Sequence, residues 1–72
     1  MRSIGMYKNG KAERFIVESS DGMYLAYNHS GDYYWLPVIE RAKIFIDKTA
    51  AEIAVGKVEQ KKYELKQVWV TL

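Results

Sequence analysis

Seventy-two residues, 49% apolar and 28% charged, suffice for one small globular domain and leave no room for a second core. The net charge is +2 with both signs mixed along the chain, which argues against the one-sided basic face typical of nucleic-acid binders. The absence of cysteine excludes disulfides, thiolate metal sites and cysteine nucleophiles.

The first predicted feature is a hairpin at Asn9-Gly10, a dipeptide that favours the positive φ angles of a tight turn. Its first arm, within residues 1–12, is either an extra strand or a loose tail. The second arm continues into a clearer strand over Arg14–Ser19, in which Phe15 and Val17 share one face.

Two more strands follow, joined by residues that form turns. Asp21-Gly22 leads into Met23–Asn28, and the polar run Asn28–Asp32 leads into Tyr33–Leu36. Pro37 ends that strand because it cannot donate a ladder hydrogen bond. The three strands predict an antiparallel meander.

The pattern changes after Pro37. Val38–Arg41 predicts a turn or a single helical turn, and Ala42–Ile46 is a short apolar run. A helix then opens at Asp47-Lys48-Thr49, where Thr49 and Glu52 have the spacing of a capping box.

The helix has a predicted core-facing stripe and an early end. The stripe comprises Ala50, Ile53, Ala54 and Val58. Gly56, which costs about 1 kcal/mol in a helix relative to alanine, indicates either close packing or the end of the helix.

A final strand is predicted over Lys62–Leu72. Tyr63 and Leu65 share one parity, whereas the valines Val68 and Val70 share the other. This switch indicates either a bulge near Lys66-Gln67 or burial on both faces. The predicted fold class is therefore α+β, a single domain over residues 1–72 with the order β-β-β-α-β, an optional N-terminal strand, and one helix on a small antiparallel sheet.

The residues offer no recognisable catalytic group. His29 is the single histidine and reads as an exposed turn residue, and the glycines form no phosphate-binding motif. We therefore expect a non-enzymatic protein without a metal or other cofactor. Residues 1–6 have no long apolar run that could serve as a signal peptide, and no stretch predicts a membrane span, so we expect a cytoplasmic protein.

The most informative feature is an aromatic cluster, since Tyr24, Tyr27, Tyr33, Tyr34 and Trp35 lie within twelve residues. If Leu25 and Trp35 face the helix, alternation places Tyr24, Tyr34 and Asn28 on the other sheet face. Those side chains either stack on a flat ligand, cover a protein partner, or fill a two-sided core or homodimer contact. The candidate binding residues are Tyr24, Tyr33, Tyr34, Trp35, Asn28, Arg14, Arg41 and Lys43.

Three segments carry a family resemblance: Tyr34-Trp35, then Val38 to Phe45 with the letters VIERAKIF, then Lys48 to Glu52 with the letters KTAAE. Their order resembles that of small accessory proteins encoded by phages and prophages of Gram-positive bacteria. The likeness covers about Arg14 to Leu72 and departs at Pro37-Val38, where polar residues are more usual. It assigns no binding residue, but it implies anti-defence proteins that act in the host cytoplasm.

Two hypotheses follow. The leading one is a phage-type protein that binds and inhibits a host protein, such as a CRISPR nuclease or another defence component. The alternative is a small-ligand binder, either a single chain or a homodimer, that sequesters a nucleotide second messenger, with Tyr24, Tyr33, Tyr34 and Trp35 stacking on it. Arg14, Arg41 or Lys43 would then meet phosphate. A nucleic-acid partner is the least supported, because the charge is modest.

Overall fold

The computed structural model describes residues 7–8 and 10–71 as five strands, one α-helix and one 3-10 turn. The elements in chain order are β1 (Tyr7–Lys8), β2 (Lys11–Ser19), β3 (Tyr24–Tyr27), β4 (Tyr33–Leu36), the 3-10 turn (Ile39–Arg41), α1 (Lys48–Val55) and β5 (Tyr63–Thr71). The fold class is α+β, as predicted. Residues 7–8 form the optional N-terminal strand, whereas residues 1–6, Asn9 and Leu72 lie outside the described residues.

The strands form one antiparallel sheet in the order β1-β2-β3-β4, with β5 paired to β2. β5 runs along the whole of β2, from Lys11 opposite Thr71 to Ser19 opposite Tyr63. A strand has two edges, so β1 and β3 share the remaining edge of β2. β1 pairs at residues 11–12 and β3 at Glu18, which leaves a gap between them.

The turns follow the sequence signals. Gly10 and Gly22 have φ angles of 75° and 88°, a region that glycine enters without steric cost. At the second turn, the hydroxyl of the buried Ser19 accepts a hydrogen bond from Met23 N–H at 2.9 Å and donates to a carboxylate oxygen of Asp21. The β2–β3 turn is thus fixed by its own side chains.

Helix α1 covers one face of the sheet. Its buried residues are Ala51, Ala54 and Val55, and Val58 packs beside them just after the helix ends. They contact a core cluster of Phe15, Val17, Leu25 and Phe45. Three of the four predicted stripe residues, Ala50, Ala54 and Val58, do pack on the core. The prediction was wrong for Ile53, which is 60% exposed, and it missed the buried Ala51. Gly56 ends the helix as its C-cap.

The helix also begins differently from the prediction. The N-cap is Asp47, whose Oδ1 accepts a hydrogen bond from Ala50 N–H at 2.8 Å. Thr49, predicted to be the cap, lies inside the helix. Asp47 takes this role because its extended backbone, with φ −150° and ψ 171°, aims the short carboxylate at the first free N–H groups.

β5 contains no bulge, because its nine residues keep a one-to-one register with β2. The parity switch comes instead from burial on two faces. Leu65 packs on the helix-side core, whereas Val68 and Val70 are half-buried on the opposite face. Trp69 shares the parity of Leu65 and is 40% exposed, so the helix side is left uncovered at that end of the strand.

Candidate functional site

The β3–β4 hairpin holds its loop in one shape through Asn28. The Asn28 Oδ1 atom accepts hydrogen bonds from Ser30 N–H at 2.9 Å and Asp32 N–H at 3.0 Å. The backbone N–H of Asn28 also donates to the Asp32 carbonyl at 2.9 Å, and Gly31 has a φ of 92°. A side chain predicted to bind a partner is therefore occupied in shaping the loop.

The 3-10 turn after β4 is fastened to the sheet by the segment that follows it. Lys43 N–H donates to the Leu25 carbonyl at 2.8 Å, and Phe45 exchanges both backbone hydrogen bonds with Phe15. This segment enters the gap between β1 and β3 and hydrogen-bonds to both β2 and β3. The turn Ile39–Arg41 is thereby held beside the β3–β4 hairpin.

These two elements enclose an open cavity of about 600 Å³, here called the hairpin groove. Its lining residues are Tyr27, Asn28, His29, Tyr34 and Arg41. None of the five side chains is acidic, and Arg41 and His29 are exposed. The groove therefore offers aromatic surface and a planar cation with several N–H donors, a combination that suits a carboxylate or phosphate next to an apolar group.

A second cleft, of about 320 Å³, is also lined by Tyr34. Its lining residues are Met23, Tyr33, Tyr34, Trp35, Val58, Glu59 and Lys61. We call the three consecutive aromatic residues of β4, Tyr33, Tyr34 and Trp35, the aromatic ridge; Tyr34 lines both concavities. Within the described ranges β4 pairs only with β3, so the ridge forms an edge of the sheet.

Two residues of the ridge are held by contacts with neighbouring segments. Trp35 Nε1 donates to the Glu59 carbonyl at 2.9 Å. The centroid of the Tyr33 ring lies 4.7 Å from that of Tyr27 and 6.2 Å from that of Phe45. Tyr33 and Trp35 pack against the core on the helix side. Tyr34 takes the opposite face, as alternation predicted, and remains half-buried.

The remaining predicted residues lie apart from the ridge. Lys43 Nζ lies 5.3 Å from the centroid of the Tyr27 ring, a cation–π distance, and Arg14 Nη1 donates to the Glu13 carbonyl at 2.7 Å. Tyr24 is bound to Glu18 across the β2–β3 pair. Of the eight predicted residues, Tyr34, Asn28 and Arg41 share the hairpin groove; Tyr33 and Trp35 share the second cleft with Tyr34.

Tyr24 belongs to a charged cluster on the face opposite the helix. Its hydroxyl donates to Glu18 Oε2 at 3.0 Å, and Lys66 Nζ lies 2.8 Å from Glu18 Oε1. The Lys66 ammonium, followed by the Tyr24 hydroxyl, holds the pKa of Glu18 below its ordinary value of 4.5. The carboxylate in turn raises the pKa of Tyr24 and that of Lys66. Glu64 lies opposite Glu18, and Lys66 offsets that like-charge pair.

Two residues of the hairpin groove were not among the predicted binding residues. Tyr27 has the parity of the buried Leu25, yet it is 47% exposed because β3 ends there. His29 was interpreted as an exposed turn residue, and its exposure is confirmed. What could have identified both as groove residues is their position at the β3–β4 loop, since Tyr27 precedes the loop and His29 lies in it.

The described part of the chain contains no group of three or more His, Asp or Glu side chains arranged to hold a metal ion. Nor does any helix within residues 10–71 have the length and apolar character needed to cross a membrane. Comparison with known proteins found no matching family model, curated protein or solved structure. The resemblance to phage accessory proteins therefore stays a prediction.

Proposed function

We propose that this chain is a non-enzymatic binding protein that holds a partner protein on the aromatic ridge and in the hairpin groove. The observation that carries the proposal is the position of Tyr34, which lines both concavities. Tyrosine, tryptophan and arginine dominate the energetics of protein interfaces, and here all three lie at one edge of the sheet. That edge therefore has the composition of an interface centre.

The shape of the groove favours a protein over a small ligand. Small-molecule sites bury about 70–90% of their ligand, whereas the hairpin groove is wide and open to solvent. A partner surface that spans the ridge would cover both concavities at once. Arg41 and His29 could bind an acidic side chain of that partner. Trp35 and Tyr33 could contact an apolar side chain.

On this proposal the partner is a host protein and binding inhibits it. The resemblance to phage accessory proteins supports a bacterial defence component, such as a CRISPR nuclease, as the target in the host cytoplasm. The contacts that hold Tyr33 and Trp35 support tight binding, because side chains already in place lose little conformational entropy when a partner binds.

The test is an affinity capture from bacterial lysate with the full chain, read by native mass spectrometry. The wild type should retain one host protein at fixed stoichiometry and inhibit that protein when both are purified. Tyr34→Ala and Arg41→Ala should each lose capture by at least tenfold while the circular-dichroism spectrum stays unchanged. Ile53→Ala and Lys57→Ala serve as controls, since both change exposed side chains that line neither concavity. Equal capture by all four variants would refute the ridge as the interface.

A second candidate is capture of a nucleotide, favoured by Arg41 lying in one groove with Tyr34 and Tyr27. The base of the nucleotide would stack on a tyrosine ring, and its phosphate would accept hydrogen bonds from the Arg41 guanidinium. Thermal unfolding with a panel of cyclic and linear nucleotides tests it, because a ligand that binds only the folded state raises the melting temperature. A rise seen in the wild type and absent in Arg41→Ala would favour the nucleotide over the protein partner.

A further inference from the structure

β5 has a long edge that faces away from the rest of the sheet. Among residues 7–8 and 10–71, this nine-residue strand pairs with β2 alone. At about 3.4 Å per residue, its outer edge is roughly 30 Å long. The unpaired backbone groups of such an edge form a ready template for another strand unless side chains or bulges protect it.

The outward-facing backbone groups can be assigned from the register. Phe15 uses both its N–H and its C=O to bond Phe45, so it cannot bond Gln67, which lies opposite it on β5. The N–H and C=O of Gln67 therefore point away from β2. Because these directions alternate along an antiparallel strand, the same holds for every second residue. The outward set is Tyr63, Leu65, Gln67, Trp69 and Thr71.

We propose that β5 pairs in antiparallel fashion with β5 of a second copy of this chain, about a two-fold axis at Gln67. This register places the outward-facing residues opposite one another: Tyr63 with Thr71, Leu65 with Trp69, and Gln67 with its own copy. All nine residues overlap, and about ten backbone hydrogen bonds form. The two sheets then continue as one.

The side chains fit a second copy in this register. Leu65 lies opposite Trp69, an aromatic–aliphatic pair of the kind that stabilises adjacent strands. On the other face Glu64 meets Val70 and Lys66 meets Val68, so no like charges stand directly opposite. The rings of Trp69 and Tyr63, which are 40% and 39% exposed in the single chain, become more buried in the dimer.

The usual protections of an edge strand are weak in β5. It contains no proline, and its register with β2 has no bulge. Lys66 is its single lysine, and the ammonium is bound to Glu18 at 2.8 Å rather than free to repel a second strand. β4, which carries the aromatic ridge, is at the other end of the sheet, so this dimer and the proposed partner do not compete.

The first test is the mass of the full chain in solution across a dilution series, by sedimentation equilibrium. We expect twice the 8.4 kDa chain mass at the highest concentration and a fall toward one chain mass on dilution. Gln67→Pro should give one chain mass throughout, because it removes an outward N–H and leaves the bonds to β2 intact. Gln67→Ala is the matched control: it loses the Gln67–Glu13 side-chain bond but keeps the N–H, and should remain a dimer.

A second test reads the register and does not depend on the proline variant folding. The chain has no cysteine, so Gln67→Cys introduces a single thiol on the two-fold axis. Opposed bonded residues have Cα atoms about 5.5 Å apart, which a disulfide can span. Mild oxidation should therefore yield a covalent dimer. Glu64→Cys is the control, because its two copies would be about 20 Å apart and should stay unlinked.

The outcomes separate cleanly. A dimer that Gln67→Pro disperses, or that Gln67→Cys cross-links while Glu64→Cys does not, supports pairing through β5. A single chain mass at every wild-type concentration overturns it. So does a dimer that cross-links equally at both positions, since that contact would lie elsewhere. None of these results depends on the captured partner, so failure here leaves the proposed function standing.

Discussion

Phe45 donates its backbone N–H to the Phe15 carbonyl at 2.7 Å and accepts the Phe15 N–H at 2.9 Å. This single bridge fills the gap that β1 and β3 leave on the edge of β2. It also holds the 3-10 turn, and with it Arg41, beside the hairpin. The hairpin groove therefore depends on a short segment outside the regular strands, which Phe45 and the Lys43–Leu25 bond hold in place.

Phe45→Ala should lower the free energy of unfolding by about 3–5 kcal/mol, since the ring is 4% exposed and packs in the core. A 72-residue domain has about 4–10 kcal/mol in total, so the variant should be close to unfolded at room temperature. Urea unfolding measures the change. Ile46→Ala, at a side chain 66% exposed, should stay within about 0.5 kcal/mol of the wild type. Because the backbone bridge to Phe15 stays available in Phe45→Ala, a small loss would show that the ring contributes little to the core.

Stability should fall in acid partly through Glu18. Its pKa lies below 4.5 in the folded state, so its stabilising effect is present above about pH 4.5 and is lost as the pH falls through the lowered value. In Glu18→Gln, the melting temperature should fall less steeply with decreasing pH in this range. Tyr24→Phe should show a smaller change in the same direction. Asp21, whose pKa is lowered by Lys61 and then by Ser19, keeps some acid sensitivity in both variants. Thermal unfolding from pH 7 to pH 2 tests this prediction. If the melting temperature of Glu18→Gln fell with pH as steeply as that of the wild type, the prediction would be contradicted.

Asn28→Ala should destabilise the hairpin loop by about 1–3 kcal/mol, because it deletes an acceptor of two backbone N–H groups at about 0.5–1.5 kcal/mol each. Hydrogen exchange should locate the loss at the amides of Ser30 and Asp32, which donate to Asn28. Asn28→Asp keeps an acceptor oxygen and should retain their protection. If both variants exchanged alike, the Asn28 side chain would not be fixing the loop.

Asp47→Ala should cost about 1 kcal/mol, the usual value of an N-cap, because Asp47 accepts from Ala50 N–H. Thr49→Ala should be neutral or slightly stabilising, since alanine is the better helix former inside the first turn. Chemical denaturation of the two variants distinguishes the observed cap from the predicted one. A larger loss in Thr49→Ala would reverse the assignment.

The sequence predicted the sheet better than the site. Asp21-Gly22 and Asn9-Gly10 marked the turns, and Tyr33–Leu36 matched β4 in full, because local turn chemistry and alternation determine these features. The helix stripe was ambiguous, since alanines at 50, 51 and 54 allow two registers until the sheet selects one.

The clefts beside β4 could not be predicted in this way. Arg41 is held beside the hairpin by the bonds of Lys43 to Leu25 and of Phe45 to Phe15, which join segments with no common motif. The separation of Tyr33 and Trp35 from Tyr34 did follow from alternation, but the cavities around them depend on tertiary packing. Sequence periodicity predicts the sheet face on which a side chain lies, but it does not predict which other segments pack around that side chain.

The pairing of β2 with β5 has a kinetic consequence. Residue 11 meets residue 71 and residue 19 meets residue 63, so the longest ladder in the sheet joins segments made far apart during synthesis. Closing such a loop costs entropy before any contact repays it, and folding slows as contacts become less local. While the ribosome is still making β5, β2 has its full-length edge bare, and a chaperone or a neighbouring nascent chain has its best opportunity to bind there.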